Sequence, residues 1–455
     1  MALNIVIMAA GKGTRMKSAA PKVLHKLAGR SLLAHVLGTA EQLQAQRTVV
    51  VVGHGAEQVE ASAAGPGRQF VRQEPQLGTG HAVQQAVPAL GHDDGTTLIL
   101  NGDVPLIRAA TARALIDACG GERLALLTIA LPDPTGYGRI LRDGQRVLGI
   151  VEHKDATPEQ HALREVYTGM MSAPTAWLKR AVARLKNDNA QREYYLTDIV
   201  AMAAADGVPV VASQAVDETE VLGVNSPAQL AELERRVQRA QADTLMEAGV
   251  RLADPARFDL RGELVCGSDV EIDVNNVFEG RVELGDGVRI GPNCVIRDAK
   301  IGDDTEIFAN CVIDSADIGG KCLIGPFSRV RPTSTLASGV HIGNFVEVKN
   351  SQVGAESKAN HLSYVGDAEV GRRVNVGAGT IIANYDGANK HRTVIEDDAH
   401  TGSNSVLVAP ITVGAGATVG AGSTVTRAVP AGKLTLARAR QVVIDDWVRP
   451  IKQKK

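Results

Sequence analysis

The chain has 455 residues, too many for one ordinary hydrophobic core, so two or three domains are expected. Hydrophobic residues make up 44% and charged residues 22%, which excludes a disordered or collagen-like protein. The formal net charge of -2 gives no reason to expect a surface that binds nucleic acid or an anionic membrane. Glycine is frequent, with 47 residues, but there are only six Phe, six Tyr and two Trp, so part of the core must rest on other side chains.

Cysteine usage and hydropathy favour a cytoplasmic protein without membrane insertion. None of the five cysteines, at 119, 266, 294, 311 and 322, belongs to a C-x-x-C pair, so neither a disulfide framework nor a zinc site is expected. The apolar run at 5–10 is too short for a signal peptide. No apolar run approaches the roughly 18 residues that a membrane span needs.

Up to about residue 226, short apolar runs alternate with helical patterns. We predict strands at 4–8, 48–52, 97–100 and 124–130, and helices at 31–43 and 109–118. This alternation indicates an open, largely parallel α/β sheet, in which ligands bind at the carboxyl ends of the strands. Residues 228–248 then carry leucines among charged residues, with Gly249 behind them, which predicts an amphipathic connector helix.

A glycine-bearing loop at 8–16 follows the first predicted strand. It is neither a Walker A loop nor a G-x-G-x-x-G motif. Its glycines still let backbone N–H groups approach phosphate oxygens, while Arg15 and the nearby Lys22 add positive charge. A generic strand–loop turn with solvated cations remains the alternative.

Two oxygen-bearing side chains are candidates for a magnesium site. Asp103 ends the run Asn101-Gly102-Asp103 behind a predicted strand, and Asn225 lies far along the chain. Mg²⁺ takes one or two protein oxygens and completes its shell with phosphates and water. The pair would suffice if the fold brings it together; a helix cap or a turn residue is the alternative for Asp103.

From about residue 264 the chain changes character, because aliphatic side chains recur at every sixth position. The series comprises Leu284, Ile290, Ile296, Ile301, Ile307, Ile313, Ile318, Ile324, Val330, Leu336, Ile342, Val348, Val370, Val376, Ile382, Ile395, Thr401, Leu407, Val413, Val419 and Val425. A sustained hexapeptide period indicates a parallel β-helix, in which the aliphatic residues of successive coils stack. Cys294, Cys311 and Cys322 fall where a small inward side chain is wanted, so we interpret them as structural.

The period is interrupted at two places. One is Ser357–Tyr364, which contains His361, and the other is the polar segment 384–392. Insertions in repeat proteins become loops on one face, often the binding face. A solvated loop histidine is the alternative reading of His361.

Several motifs together resemble a known family. The run at 8–16 with Pro21-Lys22 is similar to the signature of sugar-phosphate nucleotidyltransferases. The motifs at 76–80, 101–103, 134–139 and 151–154 follow in the order of that family. With the hexapeptide region and the 384–390 loop, nearly the whole chain resembles the bacterial family of bifunctional N-acetylglucosamine-1-phosphate uridylyltransferases and glucosamine-1-phosphate N-acetyltransferases.

This resemblance implies an α/β Rossmann-like nucleotidyltransferase domain at 1–227, a linker helix at 228–249, and a left-handed parallel β-helix of hexapeptide repeats with a C-terminal tail at 250–455. It implies acetyl transfer from acetyl-CoA to glucosamine 1-phosphate. Mg²⁺-dependent uridylyl transfer from UTP to N-acetylglucosamine 1-phosphate would follow, with release of pyrophosphate. The product supplies peptidoglycan and lipopolysaccharide synthesis, and the family is a homotrimer with its acetyltransferase sites at subunit contacts.

The matching positions assign candidate residues to both reactions. For uridylyl transfer the nucleotide, sugar and metal would be held by Met8, Ala9, Ala10, Gly11, Arg15, Lys22, Gln73, Gly78, Thr79, Asn101, Gly102, Asp103, Gly138, Glu152, Tyr167 and Asn225, of which Asp103 and Asn225 would bind Mg²⁺. An ammonium cannot attack a thioester, so acetyl transfer needs a base of near-neutral pKa, which matches His361. The sugar phosphate would meet Arg331, Lys349, Tyr364 and Asn375, and acetyl-CoA would meet Ala378, Asn384, Tyr385, Ser403, Ala421 and Arg438.

The chain departs from the family at two positions. Tyr167 stands where the family usually has Asn before Thr-Gly, which puts that sugar contact in doubt, and Asn101 stands where relatives often have Tyr. Two other readings stay open: a monofunctional nucleotidyltransferase with a non-catalytic, oligomerising β-helix, and a trimeric scaffold whose sites have decayed. His361 and the 384–390 loop count against the first. The presence of all the charged candidates counts against the second.

Overall fold

The computed structural model describes residues 2–91 and 93–452. The last three residues of the predicted C-terminal tail lie outside this range. Contacts between residues divide the chain into two compact units, Met1–Val237 and Gln238–Lys455. Within the described residues, none of the helices combines the length and the apolar character that crossing a membrane requires.

The first unit alternates strands and helices, as the sequence predicts. Its elements are β1 (Leu3–Ala9), β2 (Lys26–Leu27), β3 (Arg30–Ser31), α1 (Leu32–Gln42), β4 (Arg47–Val52), α2 (Ala56–Ala63), β5 (Arg68–Arg72), α3 (Thr79–Ala86), β6 (Thr96–Asn101), α4 (Ala109–Cys119), β7 (Leu124–Ala130), β8 (Arg139–Asp143), β9 (Arg146–Val151), α5 (Pro158–His161), β10 (Glu165–Pro174), α6 (Thr175–Ala183), α7 (Asp198–Ala205) and β11 (Val210–Gln214). A long helix, α8 (Pro227–Glu247), follows and contains the division between the units.

One sheet organises this unit, with strand order β11-β7-β10-β6-β1-β4-β5. Its pairs are parallel except those of β10, and the β8–β9 hairpin attaches to β10. Side chains on β1 alternate between two cores, Ile5 and Ile7 on one face and Val6 on the other, which is typical of a sheet covered on both sides. The chain leaves β1 toward β4 and returns to β6 on its other side, so a ligand crevice is expected at the carboxyl ends of β1 and β6.

The second unit consists of short strands. They are β12 (Arg251–Leu252), β13 (Phe258–Cys266), β14 (Glu271–Ile272), β15 (Asn276–Leu284), β16 (Arg289–Ile290), β17 (Val295–Arg297), β18 (Lys300–Ile301), β19 (Glu306–Ile307), β20 (Val312–Asp314), β21 (Ala316–Ile318), β22 (Leu323–Ile324), β23 (Arg329–Val330), β24 (Ser334–Leu336), β25 (His341–Asn344), β26 (Glu347–Lys349), β27 (Gln352–Val353), β28 (Lys358–His361), β29 (Tyr364–Gly366), β30 (Ala368–Val370), β31 (Asn375–Val376), β32 (Ile381–Ala383), β33 (Thr393–Ile395), β34 (His400–Thr401), β35 (Val406–Val408), β36 (Ile411–Val413), β37 (Thr418–Val419), β38 (Thr424–Val425) and β39 (Leu434–Thr435).

These strands pair in parallel, each with its equivalent in the next coil, and form three faces. Face A contains β12, β14, β16, β19, β22, β25, β28, β31, β34, β37 and β39. Face B contains β17, β20, β23, β26, β29, β32, β35 and β38, and face C contains β18, β21, β24, β27, β30, β33 and β36, while β13 and β15 bend across both. The aliphatic series predicted from the sequence is buried in one core, and Thr401 is buried too. An α/β domain followed by a left-handed parallel β-helix is therefore the architecture of this chain.

One predicted interruption of the repeat is wrong. Residues 358–361 form β28, which pairs with β25 so that Ala359 lies beside Ile342. Ala359 is buried and fills the aliphatic position of its coil. Alanine is smaller than the Leu, Ile and Val residues that define the period. The sequence pattern therefore suggests an interruption at a position where the coil continues. His361 consequently lies at the end of a strand and not in a loop.

The second predicted interruption is confirmed. Residues 384–392 leave the coil between β32 and β33, and 385–390 are exposed. A bridge between Tyr385 and Lys390 closes this loop. The structural reading of the cysteines is also confirmed, because all five are free and Cys294, Cys311 and Cys322 are buried.

Candidate active sites

A cavity of about 540 Å³ opens at the carboxyl ends of β1 and β6. The structure brings ten of the predicted site residues together in its lining: Met8, Ala9, Ala10, Gly11, Lys22, Gln73, Gly78, Thr79, Asn101 and Asp103. A smaller cavity of about 190 Å³ adjoins it, because both are lined by Met8, Thr79 and Asn101. Gly138, Glu152 and Tyr167 line the smaller one.

The loop after β1 needs glycine for a steric reason. Gly13 has a φ of 60°, and a Cβ built on it would lie 2.7 Å from Cβ of Lys22. The close approach lets Lys22 reach the cavity from the turn that follows. Gly102 lies beneath the same loop and donates its N–H to the Met8 carbonyl at 2.9 Å. Arg15 is exposed in a turn near the end of this loop, outside the cavity lining.

Lys22 joins two side chains that are far apart in the sequence. Its Nζ forms an ion pair with the Asp103 carboxylate and donates to Oδ1 of Asn225 at 3.0 Å. A carboxylate and an amide oxygen around one cation match the donor set that Mg²⁺ prefers. No cluster of three or more His, Cys, Asp or Glu suited to a metal occurs in the described residues. A magnesium ion at this pair would thus need phosphate or water as its other ligands.

Glu152 and Tyr167 give the smaller cavity its polarity. The Thr197 hydroxyl donates to Glu152 at 2.9 Å. Burial raises the pKa of Glu152, and the hydrogen bond from Thr197 only partly offsets this. Tyr167 is 7% exposed, and its hydroxyl has no partner within the described chain. Burial, together with the nearby Glu152, raises the pKa of Tyr167 well above its ordinary value.

In the second unit, four predicted residues share one corner of the β-helix. Register between β28, β31, β34 and β37 makes His361, Ala378, Ser403 and Ala421 equivalent in four successive coils, between faces A and B. His361, Ser403 and Ala421 are exposed. Arg438, from the segment after β39, donates from Nη1 to the Ala421 carbonyl at 2.9 Å. These equivalent residues therefore form an exposed row along the corner, and the row ends beside the guanidinium of Arg438.

Three cations gather at the other edge of face B. Arg331 and Lys349 are equivalent in successive coils, and Arg331 pairs with Glu347 at 2.8 Å. Lys390 comes from the 384–392 loop, and its pKa is lowered mainly by the neighbouring Lys349 ammonium, with Arg331 acting in the same direction. Cations that repel one another in this way favour a dianionic ligand.

A buried carboxylate lies among these cations. Asp367 accepts from Lys349 at 3.0 Å, and Asn384 Nδ2 donates both to Asp367 and, at 3.3 Å, to the Tyr364 hydroxyl. The Tyr364 ring lies across Gly366, where a Cβ would be 2.4 Å from it. Tyr385 is exposed on the loop, and its hydroxyl donates to the Gly387 carbonyl at 2.6 Å.

One chain does not gather all the predicted residues of this second group. Asn375 is exposed on face A, whereas Lys349 and Tyr364 lie on face B. Sequence reasoning also missed Lys390 and Asp367. Lys390 stands in the loop that the broken period singles out, so its charge was an available signal. Asp367 is one of many polar residues at β-helix corners, and nothing in the sequence distinguishes it.

Comparisons with known proteins agree with this architecture. Residues 5–246 match the family model of the MobA-like NTP transferase domain, 260–360 that of the GMPPB C-terminal domain, and 392–427 that of the bacterial transferase hexapeptide (six repeats). The Bifunctional protein GlmU of Methylibium petroleiphilum is 71% identical over 460 residues, which cover 99% of this chain and 100% of that protein. Its namesake from Paracidovorax citrulli is 62% identical and covers 100% of this chain and 99% of its own length. The one from Aromatoleum aromaticum is 59% identical, with 99% of both chains covered.

Replacing Tyr167 by phenylalanine tests the unpaired hydroxyl. We expect the free energy of unfolding of Tyr167→Phe to be unchanged or higher by about 1 kcal/mol, because the substitution removes a buried polar group that has no partner. Tyr195→Phe is the matched control, since the Tyr195 hydroxyl accepts from Gln191 and donates to Asp155. Urea unfolding should show a loss of about 1 kcal/mol for the control alone. Equal losses in the two variants would mean that the Tyr167 hydroxyl is paired.

Proposed function

Because this chain belongs to the bifunctional GlmU family, we propose that its two units carry one each of the two reactions of that family. The chain is a bifunctional uridylyltransferase and acetyltransferase of UDP-N-acetylglucosamine synthesis. Its product supplies peptidoglycan and lipopolysaccharide synthesis. A monofunctional nucleotidyltransferase is disfavoured, because relatives that match the whole chain are named bifunctional. Since UTP and acetyl-CoA are intracellular metabolites, we place the enzyme in the cytoplasm.

For uridylyl transfer, the two adjoining cavities of the first unit carry the proposal. UTP would occupy the larger cavity, against the 8–11 loop, Gln73 and Gly78-Thr79. N-acetylglucosamine 1-phosphate would occupy the smaller one, between Gly138, Glu152 and Tyr167. The shared wall would bring the sugar phosphate to the α-phosphate of UTP. Holding two reactants in this way supplies much of the rate enhancement.

The sugar phosphate is already an anionic nucleophile, so this reaction needs no general base. What remains is to neutralise charge around the α-phosphate as pyrophosphate leaves. Asp103 and Asn225 would hold Mg²⁺, which offsets phosphate charge when bound. Lys22 would add a second positive charge close by: its ammonium contacts both oxygens in this structure, and with Mg²⁺ in that place it would turn to a phosphate oxygen. Arg15 would add a third from the exposed turn.

Acetyl transfer is assigned to face B of the β-helix and its two corners. The phosphate of glucosamine 1-phosphate would bind Arg331, Lys349 and Lys390. Tyr364 and Asn375 would hydrogen-bond the sugar. Acetyl-CoA would lie along the row of Ala378, Ser403 and Ala421 with Arg438 beside it, and would reach across face B to Asn384 and Tyr385.

The chemistry of this step requires a base. The substrate ammonium loses a proton to His361, and the free amine attacks the thioester carbonyl. The attacking nitrogen then loses its second proton as the amide forms, the C–S bond breaks, and the coenzyme A thiolate leaves and takes up a proton to become the free thiol, so that one proton is released overall. The His361 ring makes no hydrogen bond within the described chain and is exposed, so it is open to substrate.

We propose a homotrimer because the corner that carries His361 also presents an apolar ridge. Phe327, Phe345 and Leu362 occupy equivalent left-handed positions and are 49%, 58% and 62% exposed. The two rings stack with centroids 5.3 Å apart. Earlier coils place Asn293 and Asn310 at this position, residues that suit a solvated left-handed corner. Burying the ridge against other copies would also bring their Asn375 to face B.

Removing the proposed base should separate the two activities. For His361→Ala we expect acetyl transfer to fall by about 100-fold or more, the usual contribution of a positioned general base. Uridylyl transfer should stay near wild type. Release of free thiol measures the first reaction and release of pyrophosphate the second. Loss of both activities would contradict two independent sites.

The metal assignment is tested by charge removal. Asp103→Asn, or a chelator added to the wild type, should abolish UDP-sugar formation and leave acetyl transfer intact, since only the first reaction needs phosphate neutralisation by Mg²⁺. Binding of Mn²⁺ followed by electron paramagnetic resonance gives a second readout. Unchanged turnover in chelator would refute a role for the metal.

The apolar ridge of Phe327, Phe345 and Leu362 is the subunit contact of the proposed homotrimer, so a substitution in it should change the oligomeric state. Phe345→Asn keeps a residue that tolerates the left-handed backbone but removes an exposed ring. We expect sedimentation to show a shift from trimer toward monomer, with loss of acetyl transfer and retention of uridylyl transfer. A variant that stays trimeric and fully active would exclude this ridge as the subunit contact.

A further inference from the structure

Asp367 is a buried acid that the proposed acetyl-transfer chemistry leaves without a role. It stands at the corner between faces B and C, directly after β29, with a φ of 52°. Only 8% of the residue is exposed. Burying a carboxylate is costly unless charged or polar groups compensate it. The groups around the Asp367 carboxylate must therefore compensate the cost of its burial.

Three donors converge on the Asp367 carboxylate. Lys349 Nζ lies 3.3 Å from Oδ1 and 3.0 Å from Oδ2, Asn350 Nδ2 donates to Oδ1 at 2.6 Å, and Asn384 Nδ2 donates to Oδ2. Burial alone would raise the pKa of Asp367, but the donors outweigh burial and the pKa is lowered. Asp367 is thus ionised at neutral pH and can only accept hydrogen bonds.

An acceptor-only partner determines which way a neighbouring amide faces. Asn350, Asp367 and Asn384 are equivalent in three successive coils, so the two amides flank the carboxylate. Asn384 must turn its NH₂ toward Asp367, and that same group also donates to the Tyr364 hydroxyl. Oδ1 of Asn384 then has no hydrogen-bond partner within the described residues. It is left to accept a hydrogen bond from a bound ligand, which in the proposed reaction is the substrate amine.

We propose that Asp367 is a positioning residue for acetyl transfer, whose carboxylate fixes the Asn384 amide with its oxygen toward the substrate amine. It touches no substrate. This inference rests on the proposed acetyltransferase function. It adds a residue that acts on the substrate through Asn384.

The test is Asp367→Asn in the full-length protein. Asparagine has the same shape and tolerates the left-handed backbone, but it can present either oxygen or NH₂, so the Asn384 amide is no longer held in one orientation. We expect kcat for acetyl transfer to fall about tenfold or more, the scale of one lost hydrogen bond to a charged group. KM for glucosamine 1-phosphate should change by less than about threefold, because the three cations remain. Uridylyl transfer should not change.

Two comparisons separate positioning from a merely structural role. Asp304→Asn is the matched control, since Asp304 is an exposed corner residue of the same unit with a φ of 55°; it should leave both activities unchanged. In an Asn384→Ala background, adding Asp367→Asn should lower kcat by less than about twofold, because the group through which Asp367 acts is gone.

Three results would overturn the inference. They are a wild-type kcat for Asp367→Asn, an undiminished loss in the Asn384→Ala background, and a loss accompanied by lower melting temperature and weaker uridylyl transfer. The proposed function fails differently, since the wild-type protein would then release no thiol from acetyl-CoA.

Discussion

The stacking of one aliphatic side chain on its equivalent in the next coil is the interaction on which the second unit depends. Each buried Ile or Val contributes about 1.5–3 kcal/mol, so successive coils stabilise one another through a single continuous core. Stacking requires a turn after every short strand, and left-handed backbone occurs at the corners. The inward positions are thus committed to packing, whereas the corners can vary. His361, Phe345 and Asp367 all lie at or beside corners.

The first unit separates packing from chemistry in a comparable way. Its strands are buried on both faces, and their carboxyl ends at β1 and β6 carry the loop, Asp103 and the two cavities. The two reactions need different chemical groups at their sites. A sugar phosphate that is already an anionic nucleophile needs cations and alignment, for which we propose Lys22 and its partners. An ammonium substrate needs a base, and His361 of the β-helix is the base that we propose.

Periodicity and motif order predicted both architectures and most of the candidate residues, because each depends on local sequence. The features that the sequence did not predict depend on which distant residues the fold brings together. The convergence of Asp103 and Asn225 on Lys22 requires a fold that joins distant segments. The sequence did not show that the coil continues through Ala359, because this buried residue is smaller than the other members of the aliphatic series. Asp367 resembles corner residues such as Asp304, and only its three donors distinguish it.

The central claim is that one chain carries out two reactions in sequence. It is tested most directly by incubating the purified protein with glucosamine 1-phosphate, acetyl-CoA, UTP and Mg²⁺ while following free thiol and pyrophosphate together. We expect thiol to appear first, pyrophosphate to follow after a lag, and the omission of acetyl-CoA to abolish both. Pyrophosphate release from glucosamine 1-phosphate at full rate without acetyl-CoA, or pyrophosphate without any thiol, would contradict it.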